Sequence, residues 1–166
     1  MNGSDPVNSG LVASINRPGG NITGVSLFGG TLDAKRLEIL RELVPQVTLV
    51  AVLMNPLVAE TQVRSRALEE AAHTLGLRLL FLDVNSEGEF DAAFATIARE
   101  RAGALFVSGS SFFLNRRAHL IGLAAQYGVP AIYAWRQLAA AGGLVSYGTS
   151  IREASPKGRL RPSSRA

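Results

Sequence analysis

From residue 47 to residue 147 the chain alternates between short apolar runs and longer stretches of helical period, and this alternation leaves few folds open. Residues 47–54 form a nearly continuous apolar run that stops at Asn55-Pro56, as a strand buried on both faces reads. Residues 58–75 follow with helical spacing. Ala59, Val63, Ala67, Ala71 and Leu75 are expected along one face, and Gly76 stands as a C-terminal stop. Residues 77–84 read as the next strand. Ser86 and Glu89 then make an S-x-x-E capping box ahead of a helix whose apolar stripe carries Phe90, Phe94 and Ile97.

Residues 104–108 are a short strand. Asn115 is placed to cap a helix through Leu120, Leu123, Ala124 and Tyr127, stopped by Gly128. Residues 129–134 read as a strand, 136–141 as a short helix and 144–147 as a last strand. Upstream, Thr31 is placed to cap a helix over residues 32–44, ended by Pro45. The first three strand intervals are roughly 25–30 residues, the length of a strand–helix unit with a right-handed crossover. The expected fold class is therefore α/β, a mostly parallel sheet flanked by helices on both faces.

Charge separates this body from the end of the chain. Residues 152–166 hold Arg152, Lys157, Arg159, Arg161 and Arg165 against Glu153 alone, which is the whole formal net charge of +4. The other 151 residues carry twelve basic and twelve acidic side chains. A duplex reader concentrates basic residues on a folded face, so no nucleic-acid partner is expected. The tail itself reads as a disordered basic segment, with translation in a shifted frame or a basic arm as the two explanations. No apolar run approaches the roughly 18 residues of a membrane span, so the chain is not expected to cross one. Met1-Asn2-Gly3-Ser4-Asp5-Pro6 lacks the basic and apolar regions of a signal peptide, so the chain as written is expected to remain cytoplasmic.

Ligands in open α/β sheets sit outside the carboxyl ends of the strands. That rule selects Met54-Asn55-Pro56, Asp83-Val84-Asn85-Ser86, the segment Ser108-Gly109-Ser110-Ser111-Phe112-Phe113, and Tyr133-Ala134-Trp135-Arg136. The third combines small hydroxyl residues, a glycine and backbone donors near a helix start. Phe112, Phe113, Tyr133 and Trp135 put four of the eleven aromatics at neighbouring strand ends, where an apolar or aromatic ligand can stack. The segment Gly19-Gly20-Asn21-Ile22-Thr23-Gly24 precedes a strand and is not a dinucleotide fingerprint. There is no cysteine, and neither His73 nor His119 falls in a catalytic or metal-binding motif. No catalytic residue, metal site or cofactor is expected.

Ser4-Asp5-Pro6-Val7 and the run Asn16-Arg17-Pro18-Gly19-Gly20-Asn21-Ile22-Thr23-Gly24-Val25 closely resemble a segment of bacterial ABC-transporter substrate-binding proteins. The group is the type I, two-lobed one that includes tryptophan- and tyrosine-type binding proteins. The resemblance continues through residues 34–45 and 52–56, and resumes at 91–94, 129–133 and 141–148. It implies a periplasmic Rossmann-like protein whose lobes close by hinge motion on a small solute and present it to an ABC permease.

On this resemblance residues 1–30 are a remnant of lobe one with the first crossover, residues 31–151 are the ligand-binding lobe two, and 152–166 are the tail. The chain is then a fragment, with full affinity expected only when both lobes enclose the ligand. By analogy the ligand residues are Ser4 and Asp5 on the lobe-one side, and Ser108, Ser110, Phe112, Tyr133 and Trp135 on the lobe-two side. Asn21 and Thr23 stand in second rank. For an amino acid, Asp5 accepts the ammonium and the carboxylate takes donors near Ser108–Ser111. Two other readings remain open: a ligand-sensing regulatory domain on the same lobe, and an enzyme on a flavodoxin-like scaffold.

Overall fold

A computed structural model describes residues 29–141 and 145–147. Ser4, Asp5, Asn21 and Thr23, the assignment of residues 1–28, and the basic tail therefore lie outside the described residues. The elements are α1 (Gly29–Leu43), β1 (Leu49–Met54), α2 (Thr61–Thr74), β2 (Arg78–Asp83), α3 (Glu89–Arg99), β3 (Ala104–Val107), α4 (Ser111–Asn115), α5 (Arg117–Gln126), β4 (Ala131–Tyr133), α6 (Arg136–Ala140) and β5 (Val145–Ser146). The five strands make one sheet in the order β2-β1-β3-β4-β5, and every pairing is parallel.

Period two along the strands divides the core into two layers. Ala51, Leu53, Leu105, Val107, Ala131 and Tyr133 point to one face, where α3, α4, α5 and α6 cover them with Phe90, Phe94, Ile97, Phe113, Leu120 and Leu138. Val50, Val52, Met54, Ala104, Phe106 and Ile132 point to the other, against Leu37 and Leu40 of α1 and Leu68 and Ala72 of α2. Central strand β1 is buried along all but its first residue, which accounts for its unbroken apolar sequence. Edge strand β2 is half-buried through its middle.

Three helices end in the same way. After α2, α3 and α5 the next strand is reached through paired bonds: Leu77 N to Ala72 O with Gly76 N to His73 O, Ala102 N to Ile97 O with Arg101 N to Ala98 O, and Val129 N to Ala124 O with Gly128 N to Ala125 O. This is the Schellman arrangement, which needs a left-handed residue at its turn. Gly76 and Gly128 supply it with φ of 66° and 63°, as the sequence led one to expect. Arg101 does so with a side chain, at φ 54°.

Several local expectations change. Helix α1 starts at Gly29, so Thr31 lies inside it and does not precede it. Helix α4 interrupts the stretch assigned to a single capped helix: Asn115 is the last residue of α4, and α5 begins after Arg116 without a side-chain cap. In the expected capping box only the acidic half closes onto backbone. Glu89 Oε2 accepts from Asn85 N at 2.8 Å and Ser86 N at 3.2 Å, while the residue before the helix is Gly88. Along α2 the buried residues are Leu68 and Ala72; Val63 is 72% exposed, because the inward face runs through positions 64, 68 and 72.

Candidate functional site

Because all strands are parallel, Met54, Asp83, Val107, Tyr133 and Ser146 end at one edge of the sheet. The chain leaves β1 toward β2 on one side and later reaches β3 on the other. The loops after β1 and β3 therefore diverge to opposite faces and leave a crevice between them. The residues at this switch point are Asn55 after β1 and Ser108, Gly109 and Ser110 after β3.

They meet directly. Asn55 is 8% exposed, and its Nδ2 donates to Ser110 Oγ at 3.2 Å while its Oδ1 accepts from Leu57 N at 2.9 Å, bending the chain toward α2. Ser110 Oγ also accepts from Phe112 N at 3.2 Å and so caps α4. With both acceptor positions taken, the hydroxyl retains its proton as a donor. Ser108 is buried, and its N donates to Leu53 O at 3.0 Å, holding the loop to the end of β1.

The aromatic candidates gather on one side of this crest. Phe112 is half-buried and stacks on Phe90 with ring centroids 5.6 Å apart and planes 4° from parallel. Tyr133 is buried in the core beneath, and burial pushes its phenol up to about 12. Trp135 packs half-buried against the same core, and its buried Nε1 has no partner among the described residues. Phe112, Tyr133 and Trp135 thus share the edge that carries Ser108 and Ser110. Phe112 and Trp135 are partly accessible there, whereas Tyr133 underlies them.

The opposite side of the crest is ionic, and sequence reasoning missed it. Arg64, in the first turn of α2, donates from Nε to Asp33 Oδ2 at 2.8 Å and from Nη1 to Gly109 O at 3.2 Å; its Nη2 lies 2.6 Å from Asp33 Oδ2. Asp33 Oδ1 pairs with Arg36 Nη1, and Arg36 Nε donates to the Tyr147 carbonyl just beyond β5. The three side chains are 1%, 5% and 12% exposed for Asp33, Arg36 and Arg64. Burial holds the Arg36 guanidinium below its usual range, opposed by Asp33 and reinforced by Arg64. The signal was present in the sequence. Asp33, Arg36, Leu37 and Leu40 follow the i, i+3, i+4, i+7 stripe of a core-facing helix, and Arg64, Leu68 and Ala72 do the same on α2.

Among the described residues no three His, Asp or Glu side chains gather to hold a metal ion. No helix of the described residues is long and apolar enough to cross a membrane. An open hollow of about 280 Å³ between α2 and β2, lined by Leu77, Leu79 and Phe81 among others, lies away from the switch point.

The geometry is that of an open α/β sheet with a hydroxyl and amide crest at its switch point, aromatic on one flank and cationic on the other. The family follows from the sequence match. The chain belongs to the ABC transporter substrate binding protein family, whose model covers residues 1–155.

Among curated proteins it is similar to a tyrosine-binding protein of Clostridioides difficile (strain R20291), 27% identical over 94 residues, which are 57% of this chain and 27% of that protein. Among solved structures it is similar to a conserved domain protein from Vibrio cholerae, with TM-score 0.74 and 24% identity over 87% of this chain and 48% of that one. The ABC domain in complex with L-Trp from Streptococcus pneumoniae matches with TM-score 0.74 and 21% identity, over 88% of this chain and 48% of that one. A ligand-free, open substrate-binding protein with adhesive properties from Clostridium difficile gives TM-score 0.65 and 24% identity, over 81% and 45%. These structures establish the likeness of fold. The chain spans about half the length of the solved relatives and about a quarter of the curated one.

Proposed function

We propose that the chain is a solute-binding component of an ABC importer, a binding protein and not a catalyst, which holds a small solute against the switch-point crest. Residues 31–151 form the ligand-binding lobe two, and residues 1–30 contribute the end of lobe one and the first crossover. The lobe-two ligand groups are Ser108 and Ser110 with the neighbouring backbone, and Phe112, Tyr133 and Trp135 as the aromatic flank. Ser4 and Asp5, with Asn21 and Thr23 in second rank, are the ligand groups assigned to lobe one. The partner in transport is an ABC permease and the compartment is the periplasm.

The observation that carries this reading is the hydrogen bond from Asn55 to Ser110 across the two diverging loops, where an open parallel sheet receives its ligand. The solute is an amino acid with an apolar or aromatic side chain. Two relatives support that class: one is named a tyrosine-binding protein, and the other was solved with L-Trp. A solute that binds only the folded state raises the melting temperature in proportion to its occupancy. A thermal-shift screen of the twenty amino acids beside sugars and aliphatic acids therefore tests the reading. Stabilisation by tyrosine or tryptophan is expected. Stabilisation by another solute class with silence from every amino acid would remove the amino-acid preference, and silence from all would remove the binding role.

A further inference from the structure

We propose that Arg64 receives an anionic group of the solute, a carboxylate, and that Asp33 and Arg36 hold it in position to do so. The inference rests on reading the switch-point crest as the solute site, and it assigns the charge that the ligand brings there.

Position comes first. Arg64 lies in the first turn of α2, the element that starts just past the carboxyl end of β1. Its Nη1 bonds the carbonyl of Gly109, the residue between the two crest serines. A methyl group built on Gly109 would stand 3.7 Å from Arg64 Nη2 and 3.9 Å from Nη1, so the guanidinium borders the loop directly.

Charge comes second. Among the described residues two guanidinium groups meet one carboxylate here, and all three side chains are almost wholly removed from water. A buried cation lacking its own counter-charge is costly, and an arriving anion offsets that cost. The two cations are not equivalent. Arg36 is spent on Asp33 and on the Tyr147 carbonyl at the end of β5. Arg64 is the more accessible of the two, and it uses three of its five N–H groups on Asp33 and Gly109. Among the described residues the other two N–H groups have no partner, and two is the number a carboxylate takes from a planar fork. One guanidinium beside neutral hydroxyl and amide donors suits a single negative charge better than the double charge of a phosphate.

Asp33 makes Arg64 a fixed donor and not a floating one, which lowers the ordering cost of binding. The ligand would lie with its carboxylate toward Arg64 and its apolar part toward Phe112 and Trp135.

The test is an NMR titration of the whole chain with sodium benzoate, benzamide and sodium phosphate at one ionic strength. It follows the Arg64 Nε–H and the Gly109 and Ser110 amide resonances. Benzoate is expected to shift all three saturably, and benzamide to leave them in place. Arg64→Lys, which keeps the charge and loses the fork, should weaken benzoate by about tenfold to a hundredfold, the worth of a charge-assisted hydrogen bond. The unsubstituted chain decides the matter even if that variant folds poorly. Equal responses to benzoate and benzamide, or none to either, would overturn the role of Arg64; tighter binding of phosphate would overturn the carboxylate class. An amino acid that stabilises the chain while benzoate leaves Arg64 unmoved refutes this inference and keeps the solute-binding reading. Saturable benzoate binding at Arg64 with silence from every amino acid in the thermal screen keeps this inference and removes the amino-acid preference.

Discussion

Asp33→Asn is expected to cost far more stability than the loss of an exposed ion pair. The carboxylate is fully buried and is the shared partner of two guanidinium groups, accepting from Arg64 Nε at 2.8 Å and lying 2.6 Å from Nη2 while its other oxygen holds Arg36. Asparagine keeps the shape, removes the charge, and turns one acceptor into a donor that faces a donor. Removing one partner from a buried ion pair costs about 3–5 kcal/mol, because the surviving charge stays in the interior unpaired. Here two charges survive, so the upper half of that range applies, against a total stability of about 5–15 kcal/mol for a domain.

The measurement is urea unfolding followed by circular dichroism at 222 nm. With a slope of about 1.5–2 kcal/mol/M, the midpoint should fall by roughly 2–3 M. Glu87→Gln is the control. It breaks the Arg116 pair, whose side chains are 43% and 58% exposed, and should cost less than about 1 kcal/mol. Adding Arg36→Met to Asp33→Asn removes one stranded cation and should restore part of the loss. If Asp33→Asn unfolds within about 1 kcal/mol of the parent, the three side chains are not a buried network of the kind described, and the positioning argument for Arg64 goes with it.

Other outcomes follow from the same structure. Arg101→Gly should stabilise the chain by about 1 kcal/mol in the same urea assay, because Arg101 alone among three equivalent helix ends holds a left-handed turn with a side chain; a loss of stability would show that the arginine has a compensating role. Ser110→Ala should cost about 1 kcal/mol through loss of the α4 cap and should weaken binding of any solute that stabilises the chain, and equal solute affinity in the variant would take Ser110 out of the site. The buried Tyr133 phenol, pushed up to about 12, should remain protonated when absorbance at 295 nm shows unfolded tyrosine ionising near pH 10. Since its folded value lies above the unfolded one, its contribution is complete below pH 10 and is lost between about pH 10 and 12, roughly 3 kcal/mol in all at about 1.4 kcal/mol per unit; ionisation of every tyrosine near pH 10 in the folded chain would contradict this. Glu89 runs the opposite way: backbone N–H groups of Asn85 and Ser86 hold its carboxyl below the usual range, so its cap is lost as pH falls through that lowered value, and an acid melt of Glu89→Gln should lack the step.

The sheet was legible because its strands announce themselves. A central parallel strand is buried on both faces, so residues 49–54 are apolar throughout, and the glycines at 76 and 128 mark helix ends that demand a left-handed turn. The order of the strands carries no such mark. Nothing in the period of residues 78–83 or 104–107 says that they lie on either side of β1, because periodicity records burial and not neighbours. Yet that order decides where the crevice falls. It is what raises Asn55, noted in the sequence only as part of a strand end, to the partner of Ser110 across the switch point.

The ionic flank was hidden for the opposite reason. Reading α2 for its apolar residues drew the stripe through Ala59 and Val63, and so turned Arg64 outward. The structure turns Val63 to solvent and Arg64 inward, because Leu68 and Ala72 must meet Met54 and Phe106. On α1 the charged pair at 33 and 36 occupies the same stripe as Leu37 and Leu40. A charge on a core-facing position contradicts binary patterning, and such contradictions persist where some use offsets their cost. Arg64 breaks the pattern in the first turn of α2, and Asp33 and Arg36 break it in the amino-terminal half of α1, toward the edge of the sheet where the solute is proposed to bind; elsewhere their buried residues keep it. The violation of the pattern is therefore the better guide to the site. A search for charges on apolar stripes near strand ends would have found Asp33, Arg36 and Arg64, where a search for hydroxyls and aromatics found Ser110 and Trp135.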